Sequence, residues 1–330
     1  MSGKNSRCEI SRREFVAFGA GAFVVASIPI GAARRERLVR RTMPIMGTIA
    51  ELAVVHRDEL YAHSAMDAAM AELTRIENLM TRFRFSSDIG RANYLASDRP
   101  VHISAETALV VEAALRWAEF TGGAYDPAIG GAVALWDVTH RHEPPPEAAV
   151  SRYRARALHR KVELGTSNRS PVMLYHDPDV SIDLGSIAKG YAVDRAAAVL
   201  RECGIRWGLV NVGGDLYAIG TSIDGSPWRV GIQDPADEAA MIGIVEVADG
   251  AIATSGTYIQ HFRYRGHDYH HLLDPSTGAP RETLVRSFTV RSDSCMHADV
   301  AATAAYGLTP EKANAIFARC APGTAVVRIA

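Results

Sequence analysis

Leu209-Val210-Asn211-Val212-Gly213-Gly214-Asp215-Leu216-Tyr217-Ala218-Ile219-Gly220 decides the class of fold. A strand around Gly208–Val212 runs straight into the turn Val212-Gly213-Gly214-Asp215. So short a link joins antiparallel neighbours, because a parallel crossover needs a dozen or more residues. Arg265-Gly266-His267 repeats the signal after a strand at 262–264, and further strands read at 47–55, 180–183, 228–232, 242–247 and 288–290. Leu60, Met66, Ala69, Met70, Leu73, Ile76 and Met80 keep the three-to-four spacing of a buried helix face. Ser104 caps a second helix that runs through Trp117 and ends at Gly122-Gly123; two more are expected over 187–203 and 297–306. After the stiff Pro144-Pro145-Pro146 loop, residues 151–161 (SRYRARALHRK) read as a basic helix with a solvated face. The class is therefore mixed α/β of the α+β kind: largely antiparallel sheets with flanking helices. No GxGxxG opens a helix after a first strand, which argues against a dinucleotide reader of the Rossmann type.

Composition narrows the function. The 330 residues are 48% hydrophobic and 22% charged, enough for one large core, and no repeat or long linker divides residues 34–330. Thirty-six Lys+Arg against 37 Asp+Glu leave a net charge of −1, so no general nucleic-acid partner is expected. Cys8, Cys203, Cys295 and Cys320 show no CxxC or zinc-ligand spacing.

Residues 1–33 read as an address rather than part of the fold. Lys4, Arg7, Arg12 and Arg13 precede a charge-free stretch from Phe15 to Ala33, and charge resumes at Arg34-Arg35. That order describes an export signal. Ser11-Arg12-Arg13-Glu14-Phe15-Val16 resembles the twin-arginine signal, which carries folded proteins to the periplasm. The competing reading is an uncleaved anchor that would leave the protein at the inner membrane; the Gly and Pro content of the stretch suits a permanent span poorly. Cys8 lies before the apolar run, so lipoprotein anchoring is not supported.

Four segments could carry chemistry, and each has an ordinary structural explanation that outweighs it when taken alone. In Asp183-Leu184-Gly185-Ser186-Ile187-Ala188-Lys189-Gly190, a glycine turn opens a helix whose N–H groups and Lys189 suit a phosphate, without Walker A spacing. In His297-Ala298-Asp299-Val300-Ala301-Ala302-Thr303, Asp299 and Thr303 stand one helical turn apart and offer two hard oxygens, as Mg²⁺ prefers. In Tyr269-His270-His271-Leu272-Leu273-Asp274-Pro275, strand alternation sends the two histidines to opposite faces, so one at most easily serves as a base. Residues 251–257 (AIATSGT) gather hydroxyls where a strand ends. Phe83 and Tyr125 could flank a planar ring, with Asp126 accepting hydrogen bonds from it.

Their order along one chain is more specific. Pro44-Ile45-Met46-Gly47-Thr48, MTRFR (80–84), AYDPAIGGAVALW, DLGSIAKGYAVDRA, LVNVGGDLYAIG, AIATSGTY, YHHLLDPSTG and HADVAATA together resemble the ApbE family over roughly residues 42–310. The resemblance implies a two-lobed, T-fold-like architecture and an enzyme that transfers FMN from FAD to a threonine hydroxyl of a target protein, releasing AMP. It implies FAD contacts at Met46, Phe83, Ala124, Tyr125, Asp126, Asp183, Lys189 and Leu272, and Mg²⁺ held by the Ser186 backbone oxygen with Asp299 and Thr303. Lys189 and Asp299 would also serve catalysis, with His271 rather than His270, or else an Asp of the site, as base. Many relatives carry Tyr where Phe83 stands, so ring packing is expected there without the hydroxyl. The implied acceptor is a membrane or exported redox subunit bearing a target Thr or Ser. Rival readings are a metal-dependent FAD pyrophosphatase, in which water replaces the acceptor, and a periplasmic flavin-binding protein without turnover. A redox flavoprotein lacks its nicotinamide motif here.

Overall fold

The structure, a computed structural model, describes residues 36–258 and 260–330, so the export signal expected over 1–33 lies outside the described residues. Seven strands form the main sheet: β1 (Arg37–Ile45), β2 (Thr48–His56), β3 (Gly208–Val212), β4 (Asp215–Ile219), β5 (Gly250–Gly256), β6 (Ser287–Ser292) and β7 (Ala325–Ile329). They lie side by side in chain order, each antiparallel to the next. The Gly-Gly turn of the sequence is the β3–β4 hairpin, in which Val212 faces Asp215. Its φ angles of +61° at Gly213 and +99° at Gly214 are left-handed, and a residue without Cβ enters that region at no steric cost.

Side chains alternate across the sheet, and both faces are covered. Leu52, Val54, Val210, Val212 and Ile219 point into the main core, while Ala53, Val55, Leu209, Leu216 and Ile252 meet Trp228 and Val230 on the other side. Those two residues belong to the hairpin formed by Trp228–Asp234 and Asp237–Val247. Coverage on both faces explains why every residue of β3 and β4 is buried.

Among the described residues, six helices of eight or more residues accompany the sheet: α1 (Glu59–Met80), α2 (Asp88–Leu95), α3 (Ala105–Phe120), α4 (Ala188–Glu202), α5 (Cys295–Ala304) and α6 (Pro310–Cys320). α1, α4 and α5 pack on the core face of the sheet. The periodicity read for α1 is present: Met66, Ala69, Met70, Leu73, Ile76 and Met80 are buried. Leu60 is 83% exposed, because it sits in the first turn and the buried stripe begins at Ala62. Ser104 caps α3 as expected, accepting from Thr107 N at 3.0 Å.

Two expected elements are absent. Residues 151–161 do not form a helix; they break into 3₁₀ turns, Ser151–Tyr153 and Leu158–Lys161, with left-handed Ala155 and Ala157 between. Tertiary contacts override the local preference: Ala155 N donates to Pro275 O at 2.9 Å, and Arg152 and Arg156 are drawn to Asp177 and Asp179. Residues 180–183 make a single bridge, Ser181 to Ile129, rather than a strand. There the Asn93 side chain takes the place of a neighbouring strand, donating to Ile182 O at 2.8 Å and accepting from Ile182 N at 2.7 Å. β1, β7, α6 and the small sheet of Val101–His102, Ser170–Tyr175 and Val162–Ser167 were not read from the sequence.

Candidate active site

The site begins where α4 begins. α4 follows the glycine turn at 185 with no side-chain cap of its own. Its Gly190 N–H instead donates to Asp299 Oδ2 on α5, at 2.9 Å. In return, Asp194 on α4 accepts from Cys295 N at 2.7 Å and Met296 N at 3.0 Å, the first amides of α5. It also accepts from Ser294 Oγ, the residue that caps α5. Each helix thus completes the N-terminus of the other. Gly190 permits the approach, since a Cβ there would overlap the Cys295 carbonyl and stand 2.8 Å from Asp299 Cβ.

Lys189 lies at this junction. Its Nζ is 2.8 Å from Asp215 Oδ2 and 3.2 Å from Asp299 Oδ1, and it donates to Gly185 O at 3.0 Å. Asp215 and Asp299 are each only 3% exposed. Burial raises both carboxyl pKa values, and Lys189 opposes the rise; for Asp215 the neighbouring Asp299 adds to it. The ammonium is desolvated too, yet the two carboxylates outweigh that and raise its pKa. When both carboxylates are ionised, one ammonium leaves negative charge in excess, which burial disfavours by raising their pKa values. Asp215 Oδ2, though close to Nζ, takes no aligned hydrogen bond. Asp215 is a site residue that the sequence alone does not announce. Its signal was a carboxylate between Gly-Gly and an apolar strand, where a turn explained it sufficiently.

The other expected residues have partners of their own. Tyr125 OH and Ser186 Oγ share a hydrogen bond of 3.0 Å, and Thr303 Oγ1 shares one of 3.0 Å with Ser255 Oγ on β5. Asp183 accepts from Gly185 N at 2.8 Å and pairs with Arg82 Nε at 3.0 Å. Arg82 in turn lies over the ring of Phe83, which is 81% exposed. Asp126 is buried, and its carboxylate accepts from Ala128 N, His159 N and His159 Nδ1. His159 is a partner that the sequence reading did not identify. Met46 occupies the β1–β2 turn at φ +49°, its N–H donating to Glu77 Oε1 at 2.9 Å. Among the described residues no hydrogen bond or ion pair joins Met46 or Phe83 directly to Lys189 or Asp299.

The two histidines differ in what remains free. His270 Nε2 donates to Arg281 O at 3.0 Å, and its Nδ1 accepts from Leu272 N at 3.2 Å, so both nitrogens are engaged. His271 Nδ1 stands 3.3 Å from Gln260 O, a carbonyl that can only accept. The ring hydrogen is therefore on Nδ1, and Nε2 is the nitrogen able to take a proton. Burial, reinforced by the charges of His270 and Lys189, lowers the His271 pKa to about 4. Leu272 is buried beside it.

Among the described residues no group of three His, Cys, Asp or Glu side chains is arranged to hold a metal. The oxygens at hand are a carboxylate, hydroxyls and main-chain carbonyls, and the excess buried negative charge suits a hard cation.

The fold that carries this site is shared with solved structures. The chain belongs to the ApbE family, whose family model matches residues 46–327. A Vibrio cholerae protein named FAD:protein FMN transferase is 31% identical over 293 residues, covering 87% of this chain and 86% of its own length. A Treponema pallidum protein of the same name is 30% identical, covering 87% and 83%. Among solved structures, the ApbE protein of Thermotoga maritima superposes with a TM-score of 0.79 at 27% identity, over 89% of this chain and 96% of that one. The flavin transferase ApbE of Vibrio cholerae gives 0.74 at 30% identity, over 88% and 93%.

Proposed function

We propose that the protein is a FAD:protein FMN transferase that attaches FMN to a threonine hydroxyl of an exported or membrane-bound redox protein and releases AMP. The observation that carries this reading is the convergence of Lys189, Asp215 and Asp299 at the start of α4, in a chain whose relatives bear that name. A helix N-terminus and a lysine favour a diphosphate. Asp299, Thr303 and the Ser186 carbonyl are the oxygens that would hold Mg²⁺, whose role when bound is to neutralise diphosphate charge. Lys189 gives a second positive charge beside the leaving AMP. Met46, Phe83, Ala124, Tyr125, Asp126, Asp183 and Leu272 would bind and orient FAD.

The reaction forms one bond and breaks one. The threonine oxygen attacks the phosphorus of the FMN half, the bridging P–O bond to AMP breaks, and the hydroxyl proton passes to His271 Nε2. The charge-free N-terminal stretch behind Arg12-Arg13 supports export by the twin-arginine route and action in the periplasm.

The test incubates the protein with FAD, Mg²⁺ and a membrane extract, then looks for a fluorescent flavin-bearing band. Asp299→Ala should abolish the band and weaken FAD binding in Mg²⁺; near-normal labelling by that variant would remove the metal role. Rapid AMP release without any acceptor would point instead to a FAD pyrophosphatase.

A further inference from the structure

Arg281 was not singled out by any motif, yet it touches three of the segments around the site. Its Nε donates to Leu273 O at 3.2 Å, and its Nη1 donates to Tyr306 O at 2.8 Å and to Thr303 O at 3.5 Å. Its Nη2 donates to Ala124 O. The main chain is fixed as well: Arg281 N donates to Leu272 O at 2.9 Å, and Arg281 O accepts from His270 Nε2 at 3.0 Å. Among the described residues no carboxylate forms an ion pair with it; its side-chain donors go to main-chain carbonyls, and the charge of Asp274 lies near enough to favour the guanidinium.

We infer that Arg281 is a positioning residue: its guanidinium binds the Ala124 loop, the 272–273 segment and the C-terminal end of α5 into one unit. Resting on the functional reading above, this unit joins two FAD-contact segments to the helix that bears Asp299 and Thr303. The planar, fork-shaped guanidinium spreads five N–H donors over three nitrogens and so spans carbonyls too far apart for the single nitrogen of an ammonium to bridge. A cation at the carbonyl end of α5 is also favoured by the helix dipole. With the segments held before FAD arrives, binding does not have to order them.

The experiment titrates FAD, by flavin fluorescence in Mg²⁺, into the full chain and its Arg281→Lys, Arg281→Met and Arg281→Ala variants, with melting temperature measured in parallel. The expected result is a tenfold or greater rise in Kd for R281M, a smaller rise for R281K, and recovery of R281A by millimolar free guanidinium. A folded R281M with wild-type Kd overturns the proposal. If R281M does not fold, R281A decides: restored affinity with guanidinium supports the role, and folded protein with no restoration overturns it. The functional reading fails separately, when the unmutated protein binds FAD but labels no acceptor.

Discussion

Lys189 is the residue on which most charge converges, since its ammonium meets Asp215, Asp299 and the Gly185 carbonyl together. Lys189→Ala is expected to remove a charge-assisted phosphate contact of about 1.5–3 kcal/mol, read as weaker FAD binding and slower transfer. It would also leave two buried carboxylates facing each other; unaltered FAD affinity and rate would contradict the assignment. His271 sets the pH behaviour. Its pKa is lowered to about 4 by burial first, with the charges of His270 and Lys189 adding to the shift. A base with so low a pKa is already neutral at every pH well above that value. His271 itself should therefore add no acid limb near the 6.5 of an unperturbed imidazole; Asp215, raised to about 7 by burial and the charge of Asp299, is the group that titrates there. An acid limb centred near 6.5 in the Asp215→Asn variant would remove His271 from the role of base.

At the level of elements, the contact between α4 and α5 depends on one missing side chain. Gly190→Ala would force a methyl against the Cys295 carbonyl and Asp299 Cβ, so the helices must part. Overpacking of this kind costs roughly 1–3 kcal/mol, read as a lower urea midpoint, and should reduce transfer as Asp299 loses the Gly190 amide. An unchanged midpoint would show that the helices can yield there at no cost. The same elements show what was legible in the sequence. α1, the Ser104 cap and the β3–β4 hairpin were readable because their signals are local: a repeat of three to four, one hydroxyl, one pair of glycines. Residues 180–183 were not, because the main chain of Ile182 is satisfied by the Asn93 side chain, 89 positions earlier, and that of Ser181 and Asp183 by residues 127–130. Nor were the partners that complete the site. Arg281 reaches Ala124 across 157 positions, and Asp215 meets Lys189 only once β4 has paired beside β3. Asp299 and Thr303 could be picked out because a helical turn relates them, although that Asp299 serves α4 could not.

On the scale of the whole molecule, the first testable matter is its destination. Replacing Arg12 and Arg13 together by Lys should block twin-arginine export and leave the protein in the cytoplasmic fraction, assayed by cell fractionation with an antibody. Normal periplasmic recovery of that variant would show that another route is used. The exchange of caps between α4 and α5 bears on how such a protein reaches its working form. Because Asp299 serves the start of one helix and Asp194 the start of the other, either helix by itself begins with unanswered amides. A partly opened molecule that keeps the lysine in place but lets the carboxylate go is thereby disfavoured. Amide exchange at the two helix starts should rise and fall in concert, and the enzyme would pass from inert to competent in one stroke.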